Sequence, residues 1–473
     1  MIGWRTLCAL VAAVLAGCMV GPDYERPRTP LPATFPDDSP MRTSVVAPSA
    51  VVRSDWWTLY DDPVLNDLLA SALADNLDVA FAVARIEEAD ANLREADAAL
   101  FPEFDLGAVG GRARSSGSIT TPAPIHLSND FRVALSTSFE IDFWGRLRRM
   151  VESARAQTLA THYAKDVVTL SLAGLTTQTY FALRSFDAQI TATRETLQTR
   201  DDNLLIVRRR ADSGLASDLD VNQAVGLRSD AAAQLKDLTR QRVLAEHLLG
   251  TLTGRLDLAL PAGDLAHLPS PPVPPPGLPS TLLERRPDIR VAEENLVAAN
   301  AQIGVAKAAL LPRISLIGDF GGESKDLSSL VNSSGKIWSI GFGLSLPIFT
   351  AGRLSAEVDA TTARQKQAVA TYQKSIQTAF REVADALVNI GQFTAVSDDL
   401  KTSVDAARNA LRLSTSRYEA GYSAYLDVLE AQRSLNLTQL ALIRNRQAQL
   451  SASVDLMTAL GGGWQDAQPG AAP

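Results

Sequence analysis

The chain repeats its own plan, and this internal repeat limits the possible folds more than any other feature. Residues 210–225, RADSGLASDLDVNQAV, return 207 positions later as RYEAGYSAYLDVLEAQ, residues 417–432. The segments READAALFPEFDL at 94–106 and VAKAALLPRISL at 305–316 match with an offset of 210, and the GRL segments at 145–147 and 352–354 restore the offset of 207. Two halves of similar structure are therefore predicted, with a hairpin loop of different length in each.

Each half contains one long stretch without helix-breaking residues. Residues 146–212 and 353–420 contain no proline and one glycine each, Gly174 and Gly391. A helix of that length extends about 100 Å, which is typical of a coiled coil or a tube rather than of a compact domain. Gly214 and Gly421 then predict turns into return helices at about 217–254 and 423–460, although simple capping also explains a glycine at a helix end.

Segments in which apolar and polar residues alternate precede each long helix. The alternation is clearest in FRVALSTSFEID, residues 131–142, and in WSIGFGLSL, residues 338–346. The predicted hairpins, at about 103–142 and 313–347, have strands of about the 9 to 11 residues that a tilted strand needs to cross a bilayer. An amphipathic hairpin lying on a soluble core is the alternative interpretation.

Four membrane strands cannot close a barrel by themselves, because the smallest barrels have about eight strands and an open edge in lipid leaves backbone groups unpaired. A barrel must therefore be shared between copies of the chain. Two copies would give eight strands and three would give twelve. Since the interior of an eight-stranded barrel is filled by side chains, a conducting pore favours three or more copies.

A linker joins the two repeats, and a short tail follows the second. Repeat 1 covers residues 63–254 and repeat 2 covers residues 288–461, and a proline-rich linker, residues 255–287, joins them. Residues 462–473 are expected to form a flexible tail. Extended proline-rich segments, here and at 22–48, are expected to act as semi-rigid straps.

The N-terminus predicts a lipoprotein signal peptide over residues 1–17. Arg5 precedes an apolar run that ends in LAGC, residues 15–18, and this ending looks like a bacterial lipobox. Cys18 would then carry the lipid and begin an extended segment, residues 18–62. The absence of Asp after Cys18 resembles lipoproteins sent to the outer membrane. An ordinary secretory signal with a chance cysteine is the alternative.

Composition and motif spacing argue against several classes of function. The formal charge of −8 and the absence of a basic run argue against a nucleic-acid partner. Cys8 leaves with the signal peptide, so no internal disulfide is possible. Four histidines lie without metal-ligand spacing and no catalytic motif is present, so neither an enzyme nor a metal or other cofactor is predicted. A lipid-anchored coiled-coil tether without a pore remains the alternative to a channel, but it would not explain two alternating hairpins.

The chain resembles the TolC family of outer membrane efflux proteins, in its OprM- and NodT-type lipoprotein branch. The matching stretches run along almost the whole chain and include LAGCMVGPDYERP, DWWTLYDDPVLNDLL, FEIDFWGRLRRMVESARA, LLERRPDIRVAE and LPIFTAGR. The resemblance implies an α+β membrane protein, a homotrimer whose 12-stranded transmembrane β-barrel, with four strands per chain, continues into a periplasmic α-helical barrel. It implies the exit duct of a tripartite efflux system in the outer membrane, with a periplasmic membrane-fusion adaptor and an inner-membrane pump, commonly of the RND class.

The resemblance also places a periplasmic gate at the second helix turn. Asp427 and Glu430 match the paired acidic positions of the family, Tyr418 matches a tyrosine that tethers the closed state, and Ser423 replaces the arginine that completes this tether. Since Asp427 and Glu430 share one helix face, three copies would gather six carboxylates, a ring that favours cations. The predicted gate residues are Asp427, Glu430, Tyr418, Tyr422 and, in a supporting role, Asp220.

Adaptor contact is predicted at the tips of both turns. The residues that match the docking grooves of the family are Arg210, Gly214, Leu219, Arg417, Gly421 and Leu426. The geometry of the turn is the alternative explanation for these residues. Placement of a carboxylate in the first turn of a helix is the alternative for Asp220 and Asp427.

Overall fold

The computed structural model describes residues 19–30, 32, 53–114, 127–270 and 282–463, and the two halves of the chain share the order helix, two strands, long helix and return helix. The first half contains α1 (Pro63–Asp75), α2 (Leu77–Ala98), β1 (Glu103–Arg114), β2 (Leu127–Ile141), α3 (Arg146–Asp212) and α4 (Asp218–Leu252). The second half contains α5 (Pro287–Ala308), β3 (Arg313–Ser324), β4 (Lys336–Ser345), α6 (Arg353–Glu419) and α7 (Tyr425–Ala459). Short 3-10 helices cover Trp56–Tyr60, Leu327–Ser329 and Ser333–Gly335, and one α-helical turn covers Leu282–Arg285.

The long helices and the return helices have equal lengths in the two halves. Both α3 and α6 contain 67 residues, and both α4 and α7 contain 35. The long helices occupy almost the residues predicted for them, because nothing in these stretches removes a backbone hydrogen bond or forces a kink. The predicted fold class, α+β with two tandem structural repeats, is confirmed.

The four strands form one antiparallel sheet in the order β1-β2-β3-β4. Leu106 lies opposite Leu135, which lies opposite Phe320, which lies opposite Trp338. Because side chains alternate across a pleated sheet, these four residues share one face, and all four are exposed to solvent in the single chain. An exposed apolar sheet face of this size marks a surface that contacts another apolar phase or molecule. For strands that cross a membrane, that phase is lipid.

The other face of the sheet is polar. The neighbouring row across the four strands consists of Asp105, Ser136, Asp319 and Ser339. Ser339 Oγ donates a hydrogen bond of 3.1 Å to Asp319 Oδ2. Within the described residues β1 and β4 each pair on one side only, so both edges of the sheet remain available for further strands.

The chain divides into two compact units. Among the described residues, the first unit holds the sheet, within 85–162 and 291–373, together with residues 19–28. The second unit holds the described residues within 29–84, 163–290 and 374–463. The core of the second unit includes Tyr60 and Phe181, whose rings lie 4.9 Å apart. Tyr60 is fully buried, and its hydroxyl shares a hydrogen bond of 2.7 Å with Ser453 Oγ, so its polar end is satisfied.

In the first unit the N-terminal segment, residues 19–28, is fixed by close packing and charge. Gly21 has a φ of 109°, and a Cβ added to it would lie 2.6 Å from the Cα of Gly304. Only glycine therefore fits at this position. The Arg26 guanidinium forms a bidentate pair with Glu293, with an Nε to Oε1 distance of 2.6 Å. A bilayer-crossing helix, long and apolar throughout, is absent from the described part of the chain.

Candidate functional site

The two helix turns have the same backbone geometry. Turn 1, residues 213–217, contains Gly214 with a φ of 73°, and turn 2, residues 420–424, contains Gly421 with a φ of 80°. In turn 1 the N–H groups of residues 214 and 215 donate to the carbonyls of residues 211 and 210, and in turn 2 those of residues 421 and 422 donate to residues 418 and 417. Both are Schellman motifs, which satisfy the last carbonyls of the long helices and explain the two glycines.

The helices that leave the turns begin differently. Ser217 caps α4, and Asp220 completes a capping box, since its carboxylate accepts from the N–H of Ser217 at 2.9 Å and from its hydroxyl at 2.9 Å. The equivalent positions in the second repeat are Ala424 and Asp427. Ala424 has no side-chain oxygen, and α7 begins without a side-chain cap. The carboxylate of Asp220 is therefore occupied in capping, whereas that of Asp427 has no hydroxyl beside it.

A cluster of apolar side chains, the tip cluster, joins the two helical hairpins within one chain. Its buried members come from both hairpins and are Leu204, Val207, Ala224, Tyr425, Val428 and Leu429. Tyr418 packs against this cluster from the side of α6. Separation of the two hairpins would expose these side chains to water, and burial of apolar area therefore holds the hairpins together.

The ring of Tyr418 contacts both Arg210 and Tyr425. The guanidinium carbon of Arg210 is 4.5 Å from the centroid of the Tyr418 ring, and the centroid of Tyr425 is 5.1 Å away. Burial raises the pKa of Tyr418, an effect that the nearby Arg210 opposes and the charge of Asp220 reinforces. Burial, followed by the charges of Tyr418 and Asp220, raises the pKa of Tyr425 to about 12. Both phenols are therefore neutral at physiological pH.

The predicted acidic gate residues lie away from the tip cluster. Asp427 and Glu430 are exposed on α7, whereas Val428 and Leu429, between them in sequence, are buried in the cluster. Tyr422, at the tip of turn 2, is 79% exposed. The structure thus places Tyr418 within the packed tip and the two carboxylates and Tyr422 on its free surface.

Among the predicted adaptor-contact residues, Leu219 and Leu426 are exposed at equivalent positions of α4 and α7. Arg417 is also exposed, but Arg210 is half-buried, with its guanidinium over the ring of Tyr418. Leu215, exposed at the tip of turn 1, was not among the predicted residues, although the repeat aligns it with Tyr422 and could have identified it. The stacking of Arg210 on Tyr418 left no signal in the sequence.

The predicted lipidation site, Cys18, lies outside the described residues. The described residues begin at Met19, directly after it. The N–H of Val20 donates to the carbonyl of Trp144 at 3.0 Å. Met19 packs against Gly145, where an added Cβ would lie 2.8 Å from the Cγ of Met19. The chain after Cys18 thus begins where β2 ends and α3 begins.

The part of the chain that the structure describes contains no group of three or more His, Cys, Asp or Glu side chains that could hold a metal ion. The arrangement instead defines a class of protein. A sheet with one apolar face and two free edges, joined to two long helical hairpins, is suited to be one subunit of a shared membrane channel.

Comparison with known proteins agrees with this class. The family described as "Outer membrane efflux protein" matches residues 68–255 and 278–462, two ranges that overlap the two halves of the chain. The solvent efflux pump outer membrane protein SrpC of Pseudomonas putida is 36% identical over 98% of this chain and 99% of its own length. The chain belongs to the outer membrane efflux protein family.

Solved structures give the same result. A crystal structure of a membrane protein from Pseudomonas aeruginosa matches with a TM-score of 0.86 and 34% identity over 94% of this chain and 98% of the other. The Campylobacter jejuni CmeC outer membrane channel matches with a TM-score of 0.86 and 27% identity over 95% and 96%. The predicted function as an outer membrane channel for efflux and the predicted location in the outer membrane are confirmed, and the family is one of channels rather than enzymes.

Proposed function

We propose that three copies of the chain assemble into the exit duct of a tripartite efflux system. The observation that carries the proposal is the sheet, whose apolar face is exposed and whose edge strands β1 and β4 each lack a partner on one side within the described residues. Pairing of β4 in one copy with β1 in the next removes both edges. Three copies close twelve strands, which leaves an interior wide enough to conduct.

Reconstitution in planar bilayers tests the duct. Purified full-length protein is expected to migrate as a trimer and to conduct ions. Protein that stays monomeric and never conducts would favour a lipid-anchored periplasmic tether, the second candidate function.

The periplasmic aperture of this duct lies at turn 2, with Asp427 and Glu430 as its acidic ring. Both side chains are exposed, and Asp427 has no capping partner of the kind that occupies Asp220. Threefold symmetry would gather six carboxylates, which favours cations and raises the cost of closure without bound counterions. Tyr418 and Tyr422 flank this ring, and Asp220 holds turn 1 through its capping box.

Replacement of both acids tests the aperture. Asp427→Ala combined with Glu430→Ala is expected to shift the reversal potential in a salt gradient towards zero and to weaken block by multivalent cations. Asp218→Ala removes an exposed acid from the first turn of α4 and serves as the matched control, with the reversal potential expected to stay unchanged. Equal effects of the two changes would count against the aperture.

The partners of the duct would be a periplasmic membrane-fusion adaptor at the turns and an inner-membrane pump of the RND class that the family resemblance implies. Exposed Leu219 and Leu426 support docking at both turns, because six such turns would surround one opening. SrpC is described as part of a solvent efflux pump, which supports a pump as the further partner. The cargo is set by that pump rather than by the duct.

The duct is also anchored by lipid on Cys18. Support comes from the packing of Met19 against Gly145, which brings the residue after Cys18 to the junction of β2 and α3. A lipid attached there would lie beside the sheet at the periplasmic membrane surface. Cys18→Ala is expected to abolish incorporation of labelled palmitate, and incorporation that persists in this variant would refute the anchor.

A further inference from the structure

Arg210 and Arg417 occupy equivalent positions in the two repeats but have different surroundings. The backbone carbonyls of both residues accept the i to i−5 hydrogen bond of a Schellman motif, so both have the same role in the backbone geometry of their turn. The side chain of Arg417 is exposed, whereas that of Arg210 lies over the ring of Tyr418 at 4.5 Å. The geometry of the turn therefore does not explain the position of the Arg210 side chain.

The contact between Arg210 and Tyr418 links the two hairpins of one chain. Arg210 lies in the last turn of α3 in the first hairpin, and Tyr418 lies in the last turn of α6 in the second. A guanidinium above an aromatic face is attracted by the negative charge of that face, and the attraction grows as water is excluded. The hydroxyl of Tyr418 makes no hydrogen bond with any described residue, so the link uses the ring rather than the phenol.

Two polar atoms of residues at or next to the turns are buried and unsatisfied. Arg210 Nε and Ser423 Oγ are buried and have no hydrogen-bond partner among the described residues. Such atoms lose their hydrogen bonds to water without compensation, and they weaken the packed arrangement around them. Apolar contacts and the cation–π contact therefore hold the tip together, while two of its buried polar atoms lack hydrogen bonds. Packing of this kind is suited to two hairpins that separate when a gate opens.

We infer that the Arg210 guanidinium, stacked on the face of Tyr418, is the latch that holds the two hairpins of each chain together in the closed gate. Arg210 is a positioning residue, since it acts on the gate residue Tyr418 from the opposite hairpin. A widening of the aperture that separates the hairpins must lift the guanidinium from the ring and expose the tip cluster. This inference rests on the proposed gate at turn 2.

The separation of the hairpins can be measured without conduction. Spin labels on Leu219→Cys and Leu426→Cys, both exposed at the start of the return helices, report the distance between hairpins in the full-length trimer. Arg210→Gln and Tyr418→Leu are each expected to broaden this distance distribution towards longer values. Arg209→Gln makes the same charge change at the neighbouring exposed position of the same helix turn. Tyr418→Phe keeps the ring without the hydroxyl. Both should leave the distribution as in the unmodified protein.

The same variants are then compared in planar bilayers. Arg210→Gln and Tyr418→Leu are expected to raise the open probability by about five-fold to tenfold, and the double variant by no more than the larger single change. Broadening by Tyr418→Phe would overturn the latch in favour of a hydroxyl-mediated tether. Equal behaviour of Arg210→Gln and Arg209→Gln would overturn it as well. Absence of conductance in all variants would count against the duct, while the measured distances would still decide the latch.

Discussion

At the scale of single residues, the two repeats use the same acidic position for different purposes. Asp220 and Asp427 are aligned by the repeat, and each lies in the first turn of a return helix. The residue three positions before each of them determines whether its carboxylate takes part in a capping box. Ser217 offers a hydroxyl and a capping box forms, whereas Ala424 does not. A single side chain thus separates a structural carboxylate from one that is free to act at an aperture.

Ala424→Ser is expected to convert the second turn to the arrangement of the first. The new hydroxyl would accept from the N–H of Asp427, whose carboxylate would turn back to residue 424 and away from the aperture. Stability should rise by about 1 kcal/mol, and the cation preference of the channel should fall. Thermal unfolding and reversal potentials measure the two effects.

Ala420→Ser is the control for this prediction. It adds a hydroxyl to the same turn at an exposed position that does not cap α7. A cation preference that falls equally in both variants, or in neither, would show that Asp427 does not act through its free carboxylate.

Some of these residues could be predicted from the sequence and others could not. Gly214 and Gly421 were predicted at turns because only a residue that tolerates positive φ ends such helices readily. The placement of Asp220 in the first turn also followed from local spacing. The stacking of Arg210 on Tyr418 could not be predicted, because it depends on packing between two side chains that lie 208 positions apart in sequence and on different hairpins.

At the scale of elements, the helices were easier to predict than the strands. Glycine marks the ends of the long helices, and no proline interrupts them. Both signals act locally along the chain. Strand β2 alternates clearly, but β1 contains three glycines, which carry no side chain and weaken the period-two pattern. The pairing of β2 with β3 joins the two repeats, and no local signal indicates which strands of different hairpins become neighbours.

Neighbouring residues of β3 provide a matched test of the two sheet faces. Leu316, 40% exposed, shares the apolar face with Phe139 and Phe342, whereas Ile317, 44% exposed, lies on the polar face. Leu316→Lys is expected to destabilise the folded protein in liposomes by about 2 kcal/mol, because the charge would face lipid. Ile317→Lys should be tolerated, since its charge would face water. Chemical unfolding in liposomes measures both, and equal losses would contradict the proposed orientation of the sheet.

At the scale of the whole molecule, one chain is incomplete as a membrane structure. Its four strands carry an apolar face and two free edges, and a lipid environment does not tolerate unpaired backbone groups. The need for a shared barrel could therefore be predicted from the number of strands. The register between β4 of one copy and β1 of the next could not, because both strands are rich in glycine and neither carries a side chain that fixes one pairing.

Cysteine cross-linking across this seam tests the assembly. The only cysteine predicted in the mature chain is Cys18, so introduced pairs report on the seam without interference. Leu106→Cys on β1, combined in turn with cysteine at Trp338, Ile340 or Phe342 on β4, should form a disulfide at the register where the Cβ atoms approach about 4 Å. Because twelve strands close with three copies, oxidised samples should show linked dimers and trimers and no larger species. Leu106→Cys alone should show none, and a ladder that continues beyond three would contradict a closed trimer.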